Sequence, residues 1–297
     1  MQIRVLSEGG LGNQLFQASF AHRLAILFPE YKVSFVDDNS VSDREFSLNG
    51  FFKSCSHVTE SKSYLVGGKN RNEIHRFLAR RFPNFEDQKY LRRLINESGS
   101  GFSFENELRK YLQNSHQKLT LIRGYFQISK YHFPAHSCFA SALWTSIFAN
   151  THNRLLSEKS TATIHIRRGD FIKFSSHGPL SINYFIKQLV PLQGKVSSLS
   201  VHSDDSLVLK ELKDLPFQIA PTSISNNPWQ LISDAITSRF FLGSNSSLSW
   251  WAAFALATFG EAERARIYFP SEWFRGVNTR TLEILPSEWN LVEVDWL

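Results

Sequence analysis

Methionine is almost missing from this chain, with one residue, and cysteine is scarce, with two, Cys55 and Cys138. No CxxC pair occurs, so the spacing indicates neither a zinc site nor a disulfide framework, and a reducing compartment is the expected setting. No window of about 18 uncharged apolar residues exists, which excludes a membrane-spanning helix. The longest apolar region, WWAAFALATF at 250–259, fits a buried helix. The amino terminus, MQIRVLSEGG, reads as a strand entering a glycine turn and lacks the apolar core of a signal peptide. A cytoplasmic protein is expected, and the sequons at Asn96 and Asn245 are then chance matches. HExxH and GxSxG are absent, and Gly67-Gly68-Lys69-Asn70 lacks the Walker A pattern. Metalloprotease, nucleophile-elbow hydrolase and P-loop nucleotidase chemistries are therefore unsupported. There is no internal repeat and no low-complexity linker.

What is present is enough to build a core. The chain has 297 residues, 42% of them hydrophobic, including 26 phenylalanines that read as a packing preference. Lysine and arginine number 33 against 27 acids, giving a net charge of +6 and a pI near 9.3. That balance favours anionic partners without choosing among them. Residues 71–93 concentrate Arg71, Arg76, Arg80, Arg81, Lys89, Arg92 and Arg93. They read as a solvated helical face, or as a surface for acidic lipid that would touch the inner membrane peripherally. The aromatics there are too few and too irregular for a nucleic-acid groove.

Periodicity predicts alternating strands and helices. Strands are expected at 3–7, 32–36, 118–126, 161–166, 197–203, 217–220, 239–244 and 265–269, the last closing the series. An amphipathic helix is expected at 13–28, and others at 137–156, 181–190, 204–215, 228–236 and 246–259. Residues 37–63 read as irregular. Strands alternating with helices imply an α/β fold with parallel sheets and helical crossovers. The polar stretch near 155–160 is the candidate boundary between residues 1–157 and 158–297.

In the second half, three polar clusters follow strands directly: His165–Asp170, His202–Asp205 and Gly243–Ser247. Ligands of open parallel sheets bind outside the carboxyl ends of the strands, so the three are expected to converge on one crevice. Arg167 and Arg168 offer rigid forks of donors that match phosphate oxygens. Gly169 permits a tight turn, and Asp170 either holds an arginine or takes a proton. A purely structural Arg–Asp pair at a strand end is the competing reading. RGD as an adhesion signal would need a secreted, exposed loop. Ser203, Asp204 and Asp205 read as a helix cap with first-turn acids, or as carboxylates for a base or ribose; they are not an acid-x-acid metal motif. Asn245, Ser246 and Ser247 precede a helix whose N-terminus is an anion site or a plain cap. Trp250 and Trp251 behind them read as core. In the first half, Gly9-Gly10-Leu11-Gly12-Asn13-Gln14 follows a strand and opens a helix. It is similar to a dinucleotide fingerprint, but Leu15 stands where a third glycine belongs. The other reading is a glycine turn from which Asn13 and backbone reach a pyrophosphate.

Taken together, GGLGNQLFQ, GYFQISKY (124–131), HIRRGDF (165–171), HSDD (202–205) and GSNSSLSWWAAF (243–254) resemble the bacterial α-1,2-fucosyltransferases of glycosyltransferase family 11. The motifs cover nearly the whole chain in the family's order; HxRRGD alone is shared with α-1,6- and protein O-fucosyltransferases. The resemblance implies a GT-B architecture of two Rossmann-like domains facing a cleft. It implies L-fucose transfer from GDP-fucose to a hydroxyl of a galactose-containing acceptor glycan, with inversion, no essential metal and no cofactor. Surface polysaccharide of the O-antigen type is the expected product. Arg167 would bind the β-phosphate and Arg168 support it. Asp204 or Asp205 would meet guanosine, and Ser246 or Ser247 the phosphates. Gly10, Gly12 and Asn13 would close over the donor. Asp170 is the expected general base, with His165 second. Phe171 stands where tyrosine is common, and Ala18-Ser19 where tyrosine-alanine is common. A GDP-sugar transferase of another linkage and a dinucleotide-binding oxidoreductase are the alternatives; the paired arginines and the missing glycine argue against the latter.

Overall fold

Strand β1 (Gln2–Ser7) passes through Gly9 and Gly10 into helix α1 (Leu11–Leu27) in the computed structural model. Gly9 takes the left-handed conformation, φ +80°, that this tight reversal needs. The helix stops beside Phe28-Pro29, where the residue before proline is steered out of helical geometry. The structure describes residues 1–37, 45–53, 55, 57–62, 92–96, 101–114, 119–151, 161–173, 177–219, 227–261 and 266–297. The chain divides into two compact units, Met1–Ala142 and Leu143–Leu297. Each is a Rossmann-like parallel sheet with helical crossovers, so the α/β expectation holds.

In the first unit, β2 (Lys32–Asp37), β3 (Val58–Lys62), β4 (Arg92–Asn96) and β5 (Leu119–Arg123) join β1 in the order β3-β2-β1-β5-β4. All pairings are parallel. Helix α2 (Gly101–Asn114) connects β4 to β5, and α3 (Ser137–Asn150) begins in this unit and ends in the second. Three expectations change. Residues 37–63 contain a strand, and 101–114 is a helix absent from the expected set. Helix α1 is not amphipathic: it is buried nearly all round. Its outer face is covered by the segment after β5, with Phe126 stacked on Phe20 at 4.0 Å and His132 against Phe16 at 4.9 Å. A helix enclosed on both sides needs no polar stripe. The basic stretch at 71–91 lies outside the described residues, and Arg92 and Arg93 begin β4.

The two cysteines also depart from expectation. Cys55 and Cys138 are bonded to each other, 83 positions apart, with Cα atoms 5.8 Å apart. Spacing along the chain gave no sign of this, because the pairing depends on the loop before β3 meeting the start of α3.

In the second unit, β6 (Thr161–Ile166), β7 (Ser198–Ser203), β8 (Gln218–Ile219), β9 (Phe240–Leu242), β10 (Arg266–Pro270) and β13 (Asn290–Val292) form a sheet ordered β13-β10-β9-β6-β7-β8. A small antiparallel pair, β11 (Glu272–Phe274) and β12 (Val277–Asn278), lies between β10 and β13 in sequence. Residues 265–269 are thus not the last strand. Helices α4 (Ile182–Leu189), α5 (Val208–Glu211), α6 (Pro228–Ile236) and α7 (Ser247–Phe259) make the crossovers. Helix α5 is far shorter than the expected 204–215. Ile164, Ile166, Phe185, Leu199 and Val201 are core, and Trp250 and Trp251 on α7 are fully buried, as their core reading required. Among the described residues no helix is long and apolar enough to cross a membrane.

Candidate active site

The second sheet has a topological switch point. From β6 the chain steps to β7 and β8 on one side, then returns to β9 on the other. Loops leaving β6 and β9 in opposite directions open a crevice at their carboxyl ends. HIRRGD follows β6, SDD follows neighbouring β7, and GSNSS follows β9. The fold therefore brings the three clusters to one edge of the sheet.

Arg167 is the first residue beyond β6. Its backbone N–H donates to Ser244 Oγ at 3.0 Å, and Ser244 Oγ donates in turn to His165 O at 2.8 Å, stitching the β6 and β9 ends together. The guanidinium is part-exposed. Nη2 donates to Asp170 Oδ1 and Nη1 meets Asp204 Oδ2, each at 2.6 Å. Its Cζ lies 5.6 Å from the centre of the Phe171 ring. Arg168 turns inward and is 3% exposed. Both of its terminal nitrogens donate to the Glu211 carboxylate, and Nη1 also reaches Asp205 Oδ2 at 3.3 Å. These partners raise its pKa further above the ordinary arginine value, chiefly through the Glu211 bonds, against the opposing effect of burial.

Asp204 ties both arginines down: Oδ1 accepts the Arg168 N–H at 2.8 Å while Oδ2 holds Arg167. Asp205 Oδ1 accepts the Leu207 N–H, and its Oδ2 serves Arg168. All four oxygens of this pair thus have protein partners. Ser203 Oγ donates to Ile166 O at 2.8 Å and accepts the Asp205 N–H at 3.0 Å. Gly169 is a glycine for a reason other than the expected turn: a Cβ there would overlap Asp204 Oδ2 and lie 2.9 Å from its Cγ. The carboxylate occupies the space a side chain would need.

His165 is buried, with Nδ1 2.6 Å from Ser249 Oγ on α7. Burial, with help from His202 and Arg167, lowers its pKa to about 3, so the imidazole is neutral and weakly basic. His202 beside it pairs through Nε2 with Asp234 Oδ2 at 3.0 Å. Burial works to raise the Asp234 pKa, but the bonds from His202, Gln230 and Ser200 outweigh it and leave it lowered.

Asn245 holds the loop rather than facing out. Its Nδ2 donates to His177 O and Trp273 O, each at 2.9 Å, while its buried Oδ1 has no hydrogen-bond partner. Ser246 caps α7 by accepting the Leu248 N–H at 3.3 Å, and Ser247 is the first helical residue. Residues not singled out in the sequence include Glu211, Ser244, Ser249 and Asp234. Glu211 is one acid in the charged stretch LKELKD, with no local mark of its partnership. Ser244 sat inside a recognised cluster, and its bridging role appears only when β6 and β9 are seen to be adjacent.

The first unit has its own switch point, between β1 and β5. Gly10 caps α1 with nothing within 4 Å of a Cβ position, leaving the backbone open there, and Gly12 is buried within the helix. Asn13 Oδ1 accepts from Gln127 Nε2 at 3.1 Å, joining the first turn of α1 to the loop after β5. Gln14 and Gln17 anchor the same turn through Gly9 O, Glu45 O and Gly124 O.

The family model for glycosyl transferase family 11 matches residues 81–260. The chain is 22% identical over 302 residues to an Escherichia coli alpha-1,2-colitosyltransferase, covering 96% of this chain and 97% of that protein. It is 26% identical over 318 residues to the O-antigen biosynthesis glycosyltransferase WbnK of Escherichia coli, covering 93% and 96%. Among solved structures, a glycosyl transferase family 9 protein from Veillonella parvula aligns with a TM-score of 0.49 at 10% identity, covering 99% of this chain and 85% of that one.

Proposed function

The chain belongs to glycosyltransferase family 11, and we propose that it transfers L-fucose from GDP-fucose to a galactoside hydroxyl in α-1,2 linkage, in the assembly of an O-antigen-type polysaccharide. The observation that carries this reading is Arg167, fixed at the β6–β9 switch point by Ser244, Asp170 and Asp204. A guanidinium held there is preorganised for the charge that grows on a departing diphosphate. The acceptor oxygen attacks the anomeric carbon, the bond to the β-phosphate oxygen breaks, and GDP leaves with the electron pair. The transition state is oxocarbenium-like, as in other glycosyl transfers.

The acceptor proton goes to Asp170, which is part-exposed beside Arg167. The buried, neutral His165, with Nδ1 engaged by Ser249, is the poorer base. Arg168, Asp204 and Asp205 position Arg167, and the backbone at Ser246 and Ser247 receives phosphate oxygens at the α7 N-terminus. Arginine supplies the positive charge that a divalent ion supplies in other transferases, so turnover is independent of added metal.

A second donor is favoured by the relative named as a colitosyltransferase, since colitose is fucose without its 3-hydroxyl. The test is acceptor-dependent GDP release with GDP-fucose, GDP-colitose and GDP-mannose, each with a lactose-type acceptor and EDTA, followed by NMR of the product linkage. Release with GDP-fucose alone, giving an α-1,2 product, supports the proposal. Release with GDP-colitose alone moves the donor to the second reading. Absence of GDP binding, read as no thermal shift, overturns the donor site.

A further inference from the structure

Outside the candidate active site, one cluster combines groups with metal-ligand chemistry. A ring nitrogen of His22 and the sulfurs of Cys55 and Cys138 all lie within 4.8 Å of one another. His22 stands on α1, Cys55 on the loop before β3 and Cys138 at the start of α3, all within the first unit. His22 is 2% exposed, yet its Nε2 has no hydrogen-bond partner. A buried imidazole nitrogen left unbonded is a cost that folded proteins avoid, unless something else takes the lone pair or the proton.

Two further histidines surround it. The His136 ring centre is 4.8 Å from that of His22, and the His57 ring centre is 6.3 Å away. His136 Nδ1 accepts the Cys138 N–H at 3.4 Å, so Nε2 is the ring nitrogen that would turn to a metal.

We propose that Cys55, Cys138 and His22 form a zinc site, with His136 in the fourth position, and that the Cys55–Cys138 disulfide is its oxidised, metal-free state. Tetrahedral zinc with bonds of about 2.3 Å to sulfur and 2.0–2.1 Å to nitrogen needs ligand atoms about 3–4 Å apart, so the two bonded sulfurs must part on reduction while the His22 nitrogen already lies within 4.8 Å of both. Opening the disulfide takes two electrons and two protons from a dithiol reductant, which leaves as its own disulfide. Zinc binding then releases the two thiol protons to solvent. The thiolate pair favours a soft or borderline cation over magnesium or calcium.

The full-length protein is reduced with a dithiol, freed of reductant under nitrogen and titrated with Zn2+ against a chromophoric chelator. Zinc content is read by mass spectrometry, before and after the EDTA treatment used for transfer assays, so the result does not depend on activity. About one zinc per chain is expected, with both thiols shielded from a thiol reagent until zinc is stripped. Cys55→Ser and His22→Ala should lose the site. In case these variants fold poorly, Co2+ added to the reduced wild-type chain should give thiolate-to-cobalt absorption and a tetrahedral visible spectrum. No zinc uptake with both thiols titrating freely overturns the proposal. So does zinc uptake that Cys55→Ser retains, or a disulfide that the dithiol fails to open in the folded chain.

Discussion

Replacing Gly169 by alanine adds one methyl group, and the structure says where it goes. The new Cβ would overlap Asp204 Oδ2 and lie 2.9 Å from Asp204 Cγ. Asp204 has little freedom to yield, because Oδ1 accepts the Arg168 N–H at 2.8 Å and Oδ2 holds Arg167 at 2.6 Å. Either the loop after β6 lifts or the carboxylate turns away. Both routes release the Arg167 guanidinium from one of its two carboxylate anchors. Overpacking of this kind costs about 1–3 kcal/mol in stability. The larger effect falls on turnover, since displacing a charge-stabilising group by about 1 Å costs on the order of 10²-fold in rate. The assay is kcat for GDP release at saturating donor and acceptor, with a thermal melt on the same preparation. Gly169→Ala should lose roughly 10²-fold in kcat while keeping a cooperative melt. Wild-type kcat would mean that the Asp204–Arg167 geometry does not matter to transfer, and the reasoning from Arg167 would fall.

Other substitutions separate chemistry from support. Arg167→Lys keeps charge but loses the fork, so kcat should fall at least as far as in Gly169→Ala with little change in melting temperature. Asp170→Asn should lower kcat by about 10²–10⁴-fold if Asp170 takes the acceptor proton, with the donor KM nearly unchanged; near-normal kcat removes it as base. Glu211→Gln weakens the bonds that hold buried Arg168 and should cost about 2 kcal/mol in an unfolding titration. Acid should destabilise the chain through His132 and His165, whose pKa values burial lowers to about 3 each from 6.5. The unfolded chain protonates them and the folded chain does not, so this stability is full above pH 6.5 and is lost as pH falls towards 3. By linkage, going from pH 7 to pH 5 removes about 2 kcal/mol per histidine, and His132→Gln should flatten the profile.

The strands of the second half were legible because each is a compact apolar run ending in polar residues, and β6 and α6 keep their expected bounds. The order of those strands was not, since the β6–β9 adjacency that unites RRGD with SNSS is a property of the whole sheet. Helix α1 misled because its polar residues Gln14 and Gln17 look like a solvent stripe. Both are buried and bonded to loop carbonyls and N–H groups. Arg168 and Arg167 are identical letters side by side, yet one faces inward to Glu211 and the other lies at the crevice. Only the register at the end of β6 separates them. Glu211 and the cysteine pair were beyond reach for the same reason: their partners are distant in sequence and nothing local marks them.

The division into two units carries an optical consequence. All seven tryptophans, from Trp144 to Trp296, belong to the unit that begins at Leu143; the first unit has none. Trp250 and Trp251 are fully buried, so their emission should shift to the red when that unit opens. Intrinsic fluorescence is therefore a reporter for the second unit alone, while far-ultraviolet dichroism sees both. Superimposed denaturation curves from the two signals would show that the units unfold together. Separated curves would assign each transition without any label or truncation, and a GDP-induced shift could be traced to the unit that moves.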